Sequence, residues 1–250
     1  MLITAKGIVI RERNVGESDK FIDVLTDDFG VIEISVRGAR KGTSKSSSAT
    51  QIFAYSLFCV NKRGDRYYLN SSEPIRIFYG LRENIERLSL AMYFADIIKY
   101  TVSSETNSGN ILRLFLNSLH MLASEKRDET LIKAIFELRI MTKLGFMPSI
   151  AVCEDCAIYE AEKFYFILDA GILKCSNCAT ELNQYRRVYV LSPSTLKAMR
   201  HIVFSELDSL FSFNLKGDSL KLLAQITEEY LILHTDVRLK TLDFYKQLKA

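Results

Sequence analysis

Four cysteines fall in two paired steps, Cys153-x2-Cys156 and Cys175-x2-Cys178, with eighteen residues between the pairs. Each C-x-x-C turn sets two sulfurs on one side of a tight loop. The intervening stretch brings the second pair round to face the first. The spacing predicts one tetrahedral site of four thiolates, with Zn2+ as the expected metal. A site closed in this way leaves no open coordination position, so it braces a local fold and activates no water. Four reduced core cysteines would not explain the doubled spacing. The fifth, Cys59, stands alone in an alternating apolar run, and an odd count fits a reducing compartment better than a disulfide framework.

At 250 residues the chain is long enough for two cores. Charges interrupt every apolar run too soon for a transmembrane helix. The opening MLITAKGIVIRER reads as a strand and not as a signal peptide, so the expected location is cytoplasmic.

From residue 2 to about 80 the segments 3–11, 20–26, 31–37, 51–61 and 66–78 alternate or are rich in Ile, Val, Phe and Tyr. Five short strands in this length predict a small closed sheet of the OB type. After Gly80 the period changes to three or four. Leu81, Ile85, Leu88, Met92 and Ala95 predict one buried helix face. Ile111, Phe115, Leu119 and Leu122 predict a second, and Leu131, Ile135, Leu138 and Met141 a third, ending at Gly145. Segment 151–190 breaks the rhythm and carries the cysteines, with a hairpin expected from Phe164–Leu168 and Gly171–Lys174. Ser192-Pro193 opens another helix, and a final helix is expected over 218–249. The expected class is therefore α+β and multidomain. An OB-fold β-barrel over 1–80 precedes an all-α helical domain over 81–250, with a four-cysteine zinc ribbon inserted at 151–190.

The net charge of +3 lies wholly at the N-terminal end. Residues 1–80 hold twelve Lys and Arg against nine Asp and Glu, and residues 34–64 hold six cations and no acid. A field of that sign suits a polyanion. The basic, Ser-rich stretch with Arg37, Arg40, Lys41 and Lys45 reads as a loop. Arg11, Arg13, Lys20, Lys62, Arg63 and Arg66 are placed to join it on neighbouring strands, in a groove that tracks phosphates without reading bases. The plain alternative is a solvated loop. Phe53, Tyr55 and Phe58 read as core. Tyr67 and Tyr68 are adjacent, so they face opposite sides of a strand.

No enzymatic constellation emerges. His120, His201 and His234 lie far apart without ligand partners and read as structural or surface. Phosphate-binding loops, nucleophile elbows and H-E-x-x-H are absent from the sequence. The adjacent acids Asp27-Asp28 and Glu228-Glu229 aim their side chains apart.

Val15-Gly16-Glu17-Ser18-Asp19-Lys20, Leu25-Thr26-Asp27-Asp28-Phe29-Gly30 and Val36-Arg37-Gly38-Ala39-Arg40-Lys41 together resemble the opening of the bacterial recombination mediator family RecO. Phe136-Glu137-Leu138-Arg139 before Leu144-Gly145-Phe146, the cysteine quartet, and the stretch from His234 to Thr241 are similar to later parts of that family. The resemblance spans nearly the whole chain. It implies an OB-fold, a helical domain and often a zinc ribbon. It also implies binding of single- and double-stranded DNA, strand annealing, and action with RecR to replace single-strand-binding protein by RecA. The location it implies is the nucleoid. By position, Arg37, Arg40 and Lys41 would be phosphate contacts. Many relatives carry further cations after Lys41, where this chain has serines and threonine around Lys45, which implies weaker binding through the loop. Lys133 is the candidate partner for the acidic tail of single-strand-binding protein. The expectation is a non-enzymatic DNA mediator. Its rivals are a zinc-dependent nucleic-acid enzyme and an interaction scaffold that does not bind DNA.

Overall fold

The first strand is long enough to serve two neighbours. In the computed structural model, which describes residues 1–39, 47–104, 107–180, 182–237 and 239–249, β1 (Leu2–Val15) pairs through its first half with β4 (Ala54–Arg63). Its second half pairs with β2 (Asp19–Thr26). An irregularity between Val9 and Arg11 turns the strand from one partner to the other, as a bulge does at a barrel corner. β3 (Val31–Val36) lies antiparallel to β2, and β5 (Arg66–Ile77) antiparallel to β4. A short parallel contact between β3 and β5 closes the barrel in the order β1-β2-β3-β5-β4. The predicted OB-type barrel is thus present. Val9, Ile22, Val24, Ile34, Phe58 and Val60 fill it.

The chain packs as two units, Met1–Ser124 with Leu239–Ala250, and Glu125–Arg238. In the first, α1 (Ile85–Thr101) and α2 (Gly109–Ala123) cover β1 and β2. Asn84 caps α1 by accepting hydrogen bonds from the Glu86 and Arg87 amides at 2.9 and 3.0 Å. Lys99 on α1 reaches Asp23 on β2 at 2.8 Å. The final helix, α6 (Lys240–Lys249), returns to α1, where Thr241 donates to Asp96 at 2.9 Å.

Two expectations need correction. The predicted buried stripe of α1 holds only in part: Leu81 and Ala95 are buried and Leu88 and Met92 half-buried, but Ile85 is 59 % exposed, and the helix also buries Leu90, Tyr93, Phe94, Ile97 and Ile98. The helix is apolar on most sides because barrel, α2 and α6 all pack against it, so a single stripe does not identify its inner face. The single helix expected over 218–249 is two. α5 (Gly217–Thr235) ends at Asp236, whose φ of 52° is left-handed, and α6 starts afresh at Lys240.

In the second unit α3 (Glu129–Lys143) packs against α4 (Pro193–Phe204) and α5. Asp128 caps α3 and Ser192 caps α4, the latter accepting from the Thr195 amide at 3.1 Å. Arg139 on α3 donates to the carbonyls of Ile202, Val203 and Ser205 at 2.9, 2.6 and 2.6 Å, which satisfies the open C-terminal end of α4. Between α3 and α4 lies a three-stranded sheet in the order β7-β6-β8: β6 (Phe164–Ile167), β7 (Ile172–Cys175) and β8 (Val188–Leu191). The first two are the expected hairpin.

Lys133 is not the exposed cation that a docking tail requires. Its side chain is 5 % exposed and lies 2.7 Å from Glu137 and 2.9 Å from Glu228. Thr227 completes the group by donating to Glu137 at 2.8 Å. Burial pulls the ammonium down, but the carboxylates of Glu137 and Glu228 outweigh it and hold Lys133 above the ordinary lysine value. These buried charges tie α3 to α5.

Replacing Lys133 by Met strands two carboxylates and should cost about 3–5 kcal/mol in urea unfolding. Because the folded value is raised, the difference from wild type should stay steady from neutral pH up to 10.5 and shrink only above it. A second test concerns Gly30, at φ 64°, where a β-carbon would collide with the Ser103 carbonyl. Gly16 has a similar φ of 58° and open space around it. Gly16→Ala should cost about 1–2 kcal/mol, the left-handed penalty alone. Gly30→Ala should cost on the order of 2–5 kcal/mol. Equal losses at the two positions would contradict the packing described.

Candidate nucleic-acid interface and metal centre

Strand alternation divides the barrel's side chains between core and outer surface. The β3–β5 register pairs Ile34 with Tyr67 and Ser35 with Tyr68. Tyr67 therefore joins the core and Tyr68 stands on the outer face. Arg37, just past β3, and Arg63, at the end of β4, place their guanidinium carbons 5.8 and 5.9 Å from the Tyr68 ring centroid. Lys62 lies 5.3 Å from the centroid of Tyr67. Beside them is a groove of about 610 Å³, lined by Phe21, Glu33, Ser35, Arg66, Tyr67 and Tyr68 among others. Aromatic faces interleaved with guanidinium groups can stack bases and hold phosphates.

The other candidates divide clearly. Arg11 is exposed on β1, opposite Asp23 in register. Arg13 packs 5.9 Å from the Phe21 ring centroid and is ion-paired with Glu33, with Asp23 at 3.7 Å. Arg66 lines the groove next to Asp65. Lys20 is 8 % exposed, and its ammonium donates to Glu12 at 2.9 Å and to the Thr50 carbonyl at 2.7 Å. It is committed to the barrel and does not face the groove's solvent. Arg40, Lys41 and Lys45 lie outside the described residues. The face is thus not purely cationic, because Glu33 and Asp65 stand in the same wall as the cations. Phe21 and these two acids were not singled out from sequence. Strand register brings Phe21 and Glu33 to the groove, and the β4–β5 turn brings Asp65. Phe53 and Phe58 are core, as their alternating context predicts.

The metal centre follows from two backbone turns. Ala157, with φ 58°, donates its amide to the Cys153 carbonyl at 2.9 Å, and Ala179 donates to the Cys175 carbonyl at 3.0 Å. Each turn aims its two sulfurs the same way. Cys175 ends β7, and the Glu154 amide donates to the Leu173 carbonyl at 2.8 Å, which docks the first turn onto that strand. All four sulfurs lie within 4.8 Å of one another, and those of Cys156 and Cys175 are 3.7 Å apart. A tetrahedron with metal–sulfur bonds of about 2.3 Å has sulfurs about 3.8 Å apart, so the donor set fits a zinc-sized ion.

Cys153 and Cys178 are pushed in opposite directions. Burial opposes ionisation of Cys153, but amide groups of Cys156, Cys175 and Asp155 outweigh it and bring that thiol down to about 6. Cys178, donating to Cys156 and Cys175, is pushed up to about 12. One negative charge is well accommodated and four require a cation among them. Among the described residues no second group of three metal-ligating side chains comes together. The histidines make ordinary contacts: His201 Nε2 lies 3.0 Å from the Ser209 carbonyl, and His234 Nε2 lies 3.2 Å from the Leu168 carbonyl. No helix among the described residues is long and apolar enough to cross a membrane.

Two family models cover the chain, Recombination protein O N terminal over residues 1–78 and Recombination protein O C terminal over residues 82–243. The DNA repair protein RecO of Acetivibrio thermocellus is 33 % identical over 247 residues, spanning 98 % of this chain and 97 % of that protein. That of Alkaliphilus metalliredigens is 28 % identical over 250 residues, 99 % of this chain and 100 % of that protein. That of Bacillus subtilis is 26 % identical over 250 residues, 100 % of this chain and 96 % of that protein. With both family models matched over nearly the whole chain, and a closed five-stranded barrel and a four-cysteine cluster in the structure, the chain belongs to the RecO family of DNA repair proteins.

Proposed function

We propose that this protein is a non-enzymatic recombination mediator. It binds single- and double-stranded DNA through the barrel over 1–80, anneals complementary strands, and acts with RecR to replace single-strand-binding protein by RecA. The observation that carries the proposal is Tyr68, a ring on the outer barrel face with the guanidiniums of Arg37 and Arg63 beside it. Annealing brings two anionic strands together, and cations that displace condensed counterions remove much of their repulsion. Arg37, Arg63 and Arg66 are the proposed phosphate contacts, with Arg11, Lys62 and the loop cations Arg40, Lys41 and Lys45 extending them. Tyr68 is the proposed stacking platform. Arg13 joins them by exchanging a surface carboxylate for a phosphate. The site of action is the bacterial cytoplasm, on the nucleoid.

In the helical part over 81–250, Cys153, Cys156, Cys175 and Cys178 hold one structural Zn2+. The ion would supply positive charge among four thiolates and fix 151–190 as a folded insert. With all four positions taken by sulfur, it would present no face to a substrate.

Two measurements test these assignments. Binding of a single-stranded oligonucleotide should weaken with salt on a log–log slope of about −3 to −4 for five phosphate contacts. Replacing Arg37, Arg63 and Arg66 together by Ala should reduce the steepness by about 2. Tyr68→Ala should instead cost about 1–3 kcal/mol of affinity with the slope unchanged. A slope that the triple variant leaves intact would place the DNA elsewhere. For the metal, elemental analysis of the full chain should give one zinc, and Cys153→Ser with Cys175→Ser should abolish it. The same variant should lower the melting temperature by about 10 °C and keep single-strand affinity within about threefold. Loss of DNA binding on loss of metal would contradict this division of labour.

A further inference from the structure

β5 carries a second set of arginine–aromatic pairs at its far end. Tyr68 lies near its start, and Arg76, eight residues on, near its finish. An extended strand spaces them by on the order of 25 Å. The Arg76 guanidinium sits 5.0 Å from the centroid of Phe78, and one of its nitrogens lies 3.0 Å from His120 Nδ1. Arg82, in the turn that follows, sits 5.9 Å from the centroid of Tyr79 and donates to Gln51 Oε1 at 2.8 Å. Phe78 is buried and serves as a floor that fixes Arg76, whereas the Tyr79 ring is 59 % exposed.

The electrostatics differ from those of the first groove. There, Arg13 is ion-paired with Glu33. Neither Arg76 nor Arg82 has a carboxylate within ion-pair reach among the described residues. Their recorded partners are an imidazole, an amide oxygen and a carbonyl. Glu83 is exposed next to Arg82 in sequence, but it makes no such contact. A guanidinium has five N–H donors, so both retain donors and full charge on the surface. Each is held by an aromatic face, and one exposed ring is left for stacking. Fixed planar cations beside an open π-face are the chemistry of a base-stacked polyanion.

We propose that the patch formed by Arg76, Tyr79 and Arg82 is a second single-strand site, so that one chain holds two strands at once. This rests on the DNA-binding function proposed above and extends it. Annealing by a chain with one strand site requires two protein molecules to meet. A chain with a site at each end of β5 holds both partners itself. The patch repeats the ring-and-guanidinium arrangement of Tyr68, and its exposed Tyr79 ring, able to stack a base, favours nucleic acid over an acidic protein segment.

Native mass spectrometry of the full chain with short oligothymidylate counts strands per chain, a ratio that self-association of the protein does not alter. Oligothymidylate does not pair with itself, so hybridisation adds nothing to the count. Wild type should carry two strands. Arg76→Ala with Arg82→Ala should carry one, as should Arg63→Ala with Tyr68→Ala. Tyr79→Ala, a milder change, should weaken the second binding step by about tenfold and leave the first within about threefold. Wild type saturating at one strand would overturn the second site while leaving the proposed function standing. So would a double variant at 76 and 82 that still carries two strands, and the patch would then suit an acidic protein partner. Wild type that binds no strand would instead refute the DNA-binding function itself.

Discussion

Two residue pairs, Ile34 with Tyr67 and Ser35 with Tyr68, join β3 to β5 in parallel and close the barrel. Every other seam is antiparallel and longer. Successive side chains on a strand face opposite ways, so this register sends Tyr67 inward among Ile34, Val36 and Phe58 and Tyr68 outward. Arg37 and Arg63 reach Tyr68 because one follows β3 and the other ends β4, the two strands that flank β5. A slip of one residue would bury the wrong ring and take the proposed stacking platform away from its cations. Ordinary core packing thereby selects the outer face. The apolar side chains that fill the barrel also fix which aromatic ring meets solvent.

The cations on this face are not equivalent, and the difference lies in solvation. Arg13 is 43 % exposed in its ion pairs. Such a pair is worth about 0–1 kcal/mol, so a phosphate can displace its carboxylate at little cost. Lys20 is held by Glu12 and a carbonyl inside the barrel end, and pulling it out would strand the buried Thr50 carbonyl. Arg37 and Arg63 rest on an aromatic face, an interaction that restrains their position while leaving their hydrogen-bond donors to solvent. These differences rank the arginines at Tyr68 first among the proposed phosphate contacts, with Arg13 as recruitable and Lys20 as structural.

Much of this was legible in the sequence, because hydrophobic period and metal-ligand spacing are local properties. The five strands follow from alternation. The cysteine cluster follows from its spacing, and the cap of α4 from Ser192. What escaped was set by partners distant in the chain. The acids that neutralise Arg13 come from β2 and β3, and the acid beside Lys20 comes from the next strand in the barrel. Counting charge along a segment cannot register them. β8 is only Val188–Leu191, too short for a periodic signal, and it is recruited as a strand by β6. The break at Asp236 has no glycine or proline to announce it. Asp enters the left-handed region more readily than most residues, and there it ends a helix without a sequence marker. Lys133 looked exposed because a lysine on a helix usually is. The Glu137 that buries it is its own i+4 neighbour, while Glu228 and Thr227 arrive from α5.

The second unit is stabilised by two devices suited to two kinds of structure. Three strands of four residues make a sheet too small to sustain itself. Its apolar face, with Phe166, Leu168 and Leu173, is buried, and Phe166 lies 5.9 Å from Tyr230 of α5 between ring centroids. At its other end the cysteine turns have almost no core of their own, and there a metal held by the four sulfurs would substitute for one. The helices have the opposite problem. α3 is buried nearly all round and could slide or rotate against equally apolar neighbours. Lys133, Glu137 and Arg139 are the polar groups that fix its register, two against α5 and one against the end of α4. Such groups contribute little net stability when intact and cost a great deal when one partner is removed. Their effect is to make one alignment of the helices better than its neighbours. The sulfur cluster and the buried charges thus act on different elements of one unit, the first supplying cohesion where apolar area is short and the second supplying alignment where it is plentiful.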